Sequence, residues 1–173
     1  MASAGYEALT TNHVAERAGV SIGSLYQYFP SKEAIIGELV DRHCDEMNRL
    51  FAEVFLASSH LSAPQLARAM VSAFYRSKCR NPALSRALRE QLPRVKRLNR
   101  LEASLDQMTE VIAAYLTTQR PLLRVETPKQ AAFYAVHLVE ALCMASLRDP
   151  SALASPEAAV NEITDIVMRY LFP

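Results

Sequence analysis

The chain has 173 residues, half of them hydrophobic and 21% charged, with a net charge of +1, which suits one ordinary domain or two small ones with a real core. No apolar run is expected to reach the length needed to cross a membrane, no leader is expected before the first element, and near-zero charge does not by itself announce a nucleic-acid partner. Cys44, Cys79 and Cys143 are scattered and odd in number, which fits a reducing compartment and predicts a cytoplasmic protein.

The first readable element begins near Thr10 or Thr11, either of which can cap a short helix carrying Val14, Ala15 and Ala18 on a small apolar face. Gly19 stands where a helix ends in a left-handed residue, and Val20 is expected to be buried in the turn. Ser21 is a natural cap for a second short helix, Ile22 to about Tyr28, with Leu25 and Phe29 facing the core together. Pro30 stops that helix and Ser31 caps a third. The second helix carries Ser24, Tyr26, Gln27 and Tyr28. Small helices presenting hydrogen-bonding groups of this kind are how a protein reads the DNA major groove. Lys32 falls in the first turn of the third helix, where the macrodipole disfavours a cation; a DNA phosphate would use both the lysine and the free N–H groups there.

The remainder is predicted to be helical throughout, with no strand pattern or internal repeat. An amphipathic helix runs from Ser31 to about Ala57, then a loop over Ser58–Pro64, then a helix from Gln65 to about Lys78 with Leu66, Met70, Val71 and Phe74. Asn81-Pro82 breaks it, a short helix reaches Gln91, and Pro93 opens a long helix to about Gln119 with Leu98, Leu101, Leu105, Met108, Ile112 and Leu116 at heptad-like steps. A loop from Arg120 to Pro128 precedes Lys129–Leu147, which is apolar nearly all round. A turn-rich link, Asp149–Pro156, leads to the closing helix Glu157–Leu171. The fold class is all-α, with a helix-turn-helix domain over 1–46 and a larger helical domain over 47–173.

Charge is unevenly distributed. Met1–Asp45 carries three bases, Arg17, Lys32 and Arg42, against six acids, a net of −3; Arg76–Arg100 carries nine bases against Glu90, a net of +8. The basic run reads first as a solvated face, second as a partner for the N-terminal acids, and third as an attractor for DNA or an anionic effector. His137 and Glu140, three apart on one helix face, stand out against hydrocarbon. The simplest reading is a hydrogen-bonded pair in the core or dimer seam; the alternative is that His137 meets a polar group of an effector.

The segment AERAGVSIGSLYQYFPSKEAI resembles the DNA-binding signature of the TetR family of bacterial transcriptional regulators. The matching positions are Val14, Ala15, Ala18-Gly19-Val20-Ser21, Gly23, Leu25-Tyr26, Tyr28-Phe29 and Ser31-Lys32-Glu33-Ala34. The resemblance implies a homodimeric, ligand-responsive repressor on a double-stranded inverted-repeat operator. Thr11, Tyr26 and Lys32 would meet phosphates. Ser24, Gln27 and Tyr28 would face the groove, with Gln27 suited to adenine and Ile22 to a thymine methyl. It also implies an effector pocket, for which Phe55, Met70, Phe74, Met108, Ile112, Tyr115, Phe133 and His137 are candidate wall residues suited to a small, largely apolar molecule. The last two helices would form the dimer seam through Ala135, Leu138, Leu142, Val160, Ile163 and Val167. The long third helix joins both domains and is the natural lever for release.

The family's unit has a full first helix before the motif. Here only its tail, Ala2–Leu9 with Gly5 as its stop, is expected, and truncation or a misassigned start is preferred to evolved loss because the reading residues are retained. The alternative function is a dimeric ligand-binding or interaction module with a non-functional DNA domain. No glycine-rich phosphate loop, nucleophile elbow or metal-ligand spacing points to an enzyme, so no catalytic residue, cofactor or metal is expected. A thiol sensor through one of the cysteines is a further option, behind plain buried cysteine.

Overall fold

The structure is a computed structural model that describes residues 10–80, 85, 98–149 and 155–173. The expected tail of a first helix at Ala2–Leu9 and the short helix expected to end at Gln91 lie outside the described residues. Among those described, every regular element is helical: α1 (Thr11–Ala18), α2 (Ile22–Tyr28), α3 (Lys32–Ser58), α4 (Ala63–Arg80), α5 (Leu98–Thr118), a 3-10 turn at Arg120–Leu122, α6 (Pro128–Arg148) and α7 (Pro156–Leu171). The breaks follow local chemistry. Pro30 ends α2, and proline occupies the first turn of α6 and α7, where its missing N–H costs nothing. Ser155 caps α7 by accepting from the Ala158 N–H at 3.1 Å.

The chain divides into two compact units. Of the described residues, the first holds 10–45, 85 and 98–101, and the second holds 46–80, 102–149 and 155–173. The first turn of α5 therefore groups with the N-terminal unit rather than with the larger domain expected from 47 onward. In the first unit α1 packs on α2, and Ala15, Leu25, Ile36, Val40 and Cys44 are buried.

In the second unit α7 packs against α4 and α6. One apolar cluster joins Ala113, Leu116, Ala131, Ala132, Ala135, Val167 and Leu171. Another joins Val71, Tyr75, Cys143, Ala159, Val160 and Ile163. Alanines at 131, 132 and 135 let the neighbouring helices approach closely. The Arg124 N–H donates to the Leu171 carbonyl at 2.9 Å and pins the α5–α6 connection to the end of α7. By length and by a mean hydropathy of 1.3 over its best window, α6 does meet the measure for crossing a membrane, contrary to the expectation from the sequence; here it is one of the helices that make the second unit's core.

Candidate functional site

The two short helices are fixed by their ends. Thr10, rather than Thr11, caps α1 by accepting from the His13 N–H at 3.2 Å. Gly19 closes α1 at φ 68, with the Gly19 N–H on the Glu16 carbonyl at 3.1 Å and the Val20 N–H on the Ala15 carbonyl at 3.0 Å. That closure satisfies two orphan carbonyls and turns the chain into α2. Ser21 caps α2 through the Ser24 N–H at 3.0 Å, and Ser31 caps α3 through the Ala34 N–H at 3.2 Å.

This framework leaves one surface unusually rich in apolar and aromatic groups. Leu25 is the buried anchor of α2, while Tyr28 is 79% exposed, and Ile22 and Tyr26 are exposed too. Gln27 and Ser24 are exposed beside them. Val20, expected in the core, is also exposed. Val20 follows the left-handed Gly19 and lies between the two helices, in neither of them. It adjoins Ile22 and is a member of the surface that the sequence did not flag. Two pairs of hydroxyls are oriented from within the unit: the Thr11 Oγ1 and Tyr26 Oη atoms are 3.1 Å apart, and the Ser21 and Ser24 hydroxyls 2.9 Å. Lys32, in the first turn of α3, is half-buried. The acids Glu16, Glu33, Glu38 and Asp45 are exposed, and Glu38 takes up the charge of Arg42 one turn later at 3.0 Å.

The second unit contains a cavity of about 110 Å³. Met70 and Phe74 of α4, and Met108, Ile112 and Tyr115 of α5, stand on its wall, together with Ala67 and Leu116. Among the described lining residues Tyr115 alone carries a hydroxyl and none is charged; burial raises the Tyr115 pKa. A charge placed in such a wall would lose its hydration with nothing to replace it.

Three residues expected at this wall lie elsewhere. Phe55 stands behind it, edge-on to the Tyr115 ring at 6.1 Å. Phe133 is 44% exposed. His137 stacks on Phe133 with ring centroids 4.1 Å apart, and its Nδ1–H donates to the Phe133 carbonyl at 2.8 Å. Of the residues expected in a seam on α6 and α7, Ala135, Val160, Ile163 and Val167 are buried within the subunit. Leu138 and Leu142 are half-buried. The outward face of α6 instead carries Phe133 and Tyr134, with Tyr134 edge-on to Tyr170 of α7 at 6.3 Å.

The basic run is not a uniform solvated face. Lys78 is buried with its ammonium 5.1 Å from the centre of the Phe74 ring, and Arg100 pairs with Asp41 and Asp45, while Arg76 and Arg80 are exposed. Arg86, Arg89, Arg94, Lys96 and Arg97 lie outside the described residues. Burial pushes the Cys143 thiol up to about 12, which leaves it unreactive near neutral pH; Cys44 is buried as well.

Two family models match the chain. One, described as bacterial regulatory proteins of the tetR family, covers residues 1–39; the other, described as a tetracyclin repressor-like C-terminal domain, covers residues 62–171. The HTH-type transcriptional repressor KstR of Mycolicibacterium smegmatis (strain ATCC 700084 / mc(2)155) is 39% identical over 85 residues, 49% of this chain and 40% of that protein. KstR of Mycobacterium tuberculosis (strain ATCC 25618 / H37Rv) is 36% identical over 85 residues, 49% of this chain and 37% of that protein. These matches span less than half the length of either relative. Among solved structures, a TetR-like transcriptional regulator from Rhodococcus sp. RHA1 superposes with a TM-score of 0.73 at 17% identity, over 97% of this chain and 87% of that one. The flavonoid-responsive regulator FrrA does so with a TM-score of 0.67 at 23% identity, over 99% and 91%. At these identities the likeness is one of fold.

Proposed function

The chain belongs to the TetR family of bacterial transcriptional regulators, and on that premise we propose that it is a cytoplasmic, ligand-responsive repressor. It binds an inverted-repeat operator as a homodimer and is released by a small, neutral, apolar effector. The observation that carries the reading is the surface of α2: a short helix, capped at both ends, that keeps Ile22, Ser24, Tyr26, Gln27 and Tyr28 exposed around one buried leucine. Exposed aromatic and apolar side chains gathered on one small element call for a partner.

Tyr26, steadied by Thr11, and Lys32 contact phosphates, and Gln27 reads a base edge, with adenine its natural partner. Ser24 and Tyr28 meet the groove or its edge, and Ile22 a thymine methyl. The second copy docks on the outer face of α6 around Phe133, Tyr134 and Leu138, and two recognition helices then enter major grooves about one helical turn, or a multiple of it, apart. The effector enters the α4–α5 cavity, whose uncharged wall supports a neutral ligand. Release follows if the effector binds the DNA-incompetent state more tightly.

The test is a mobility-shift assay of the full chain on the DNA upstream of its own gene. Wild type retards that DNA and Lys32→Ala retards it less, with a shallower salt dependence. Absence of a shift at low salt would overturn the repressor reading.

A further inference from the structure

Beside the cavity of the second unit lies another space, an open groove of about 580 Å³. It is bounded by the start of α4, the 3-10 turn after α5 and the end of α7, all within that unit. Ala63, Met168 and Phe172 stand on the walls of both spaces, and each is half-buried. The partition is therefore thin and adaptable. Ala63 contributes only a methyl group. Met168 is unbranched and flexible, so its side chain can swing aside while the helix that carries it stays in place.

The two spaces differ in chemistry. The described cavity wall is uncharged, whereas the groove adds Ser62, Gln119 and Arg169. The charge of Arg169 is already met by Asp165, one turn earlier on α7, at 2.7 Å. The Ser62 hydroxyl donates to Gln65 Oε1 at 2.8 Å. Gln119 is half-buried, and its Nε2 donates to Thr118 Oγ1 at 3.2 Å. A carboxamide carries further donor and acceptor positions, so Gln119 keeps capacity for a ligand. Leu122, 62% exposed, gives the groove an apolar rim.

We propose that the groove is the mouth of the cavity and the seat of the ligand's polar end, so that the ligand is a neutral molecule with an apolar body and one terminal hydrogen-bonding group, such as an alcohol. This rests on the reading of the cavity as the effector site. The apolar body passes Met168 into the cavity, where leaving water favours it. The polar end stops at Gln119, where it keeps a hydrogen-bond partner instead of being buried without one. A charged end gains nothing comparable, because the guanidinium in the groove is already paired with Asp165.

The experiment uses the full chain and three probes read by calorimetry. Benzene reports on the cavity alone, since a dry apolar cavity takes it; 1-octanol spans cavity and groove; octanoate tests the charge of the polar end. The wild type binds benzene and 1-octanol, and binds octanoate more weakly than 1-octanol. Gln119→Ala weakens 1-octanol about fivefold, the worth of one hydrogen bond, and leaves benzene affinity unchanged. Met168→Ile conserves side-chain volume but stiffens the partition, so benzene association and dissociation, read by NMR exchange, slow together severalfold at unchanged affinity. The proposal is overturned if Gln119→Ala leaves 1-octanol affinity unchanged or weakens benzene equally, if octanoate binds the more tightly, or if Met168→Ile exchanges benzene at the wild-type rate. Those outcomes leave the cavity reading standing. Failure of benzene to bind at all would overturn the cavity reading, and this proposal with it.

Discussion

Replacing Ala67 by leucine should strengthen the fold and silence the cavity at once. Ala67 lies on the cavity wall and is half-buried, in the second turn of α4, where leucine is a good helix former. The change adds three carbon groups that can enter existing empty space rather than force neighbours apart. At about 0.8 kcal/mol per buried methylene the gain is at most about 2.4 kcal/mol. Fixing the leucine rotamer takes back about 0.5–1 kcal/mol, which leaves a net stabilisation of roughly 1–2 kcal/mol. Urea unfolding should show a higher midpoint at an unchanged slope, and calorimetry should show weaker benzene binding. A lower midpoint together with undiminished benzene binding would refute the reasoning, because it would mean that Ala67 faces packed atoms and that the ligand sits elsewhere.

Gly19→Ala probes the turn: a Cβ there meets nothing within 4 Å, so the cost is the left-handed backbone alone, about 1 kcal/mol net in thermal or urea unfolding, and an unchanged stability would contradict the φ of 68. Tyr134→Asp places a charge on the outer face of α6 and should yield a folded monomer by sedimentation; a persisting dimer would move the seam elsewhere. The thiol of Cys143 is held neutral up to about 12 against an ordinary 9.0. The native state therefore keeps a proton that the unfolded chain releases, and stability that is complete below pH 9.0 should drain away as pH rises toward 12. Cys143→Ala should flatten part of that alkaline loss in urea titrations, with Tyr75, also pushed up to about 12 by burial and by the nearby Cys79 and Cys143, supplying another part; an identical slope in the variant would count against it.

The elements that position the proposed nucleic-acid surface are legible in the sequence because their signals are local. Gly19, Ser21, Pro30 and Ser31 each act on neighbours within one turn, and they fall where the chain turns or breaks. The cavity was partly legible for a related reason: Met70, Phe74, Met108, Ile112 and Tyr115 lie on helices with one clear apolar side. Helix α6 was different. A helix apolar nearly all round offers no stripe to orient it. Ala135 consequently turned out to face its own subunit, and Phe133 and His137, read as pocket wall, lie off the cavity. On α7 the buried stripe of Val160, Ile163 and Val167 was correctly seen as apolar, but periodicity does not say whether the cover comes from the same chain or from a second one. The pairing of Arg100 with Asp41 and Asp45 joins positions more than fifty residues apart, and composition alone left it behind a solvated face.

The most direct test of the account is in vitro selection of random duplex DNA by the wild-type chain and by Gln27→Ala, followed by sequencing of the bound pools. The account predicts that the wild type enriches an inverted repeat with half-sites one helical turn or a multiple apart. It predicts that Gln27→Ala still binds but loses about 1–3 kcal/mol of discrimination at one base pair in each half-site. Enrichment of no sequence by the wild type, or identical preferences in the two pools, would contradict it.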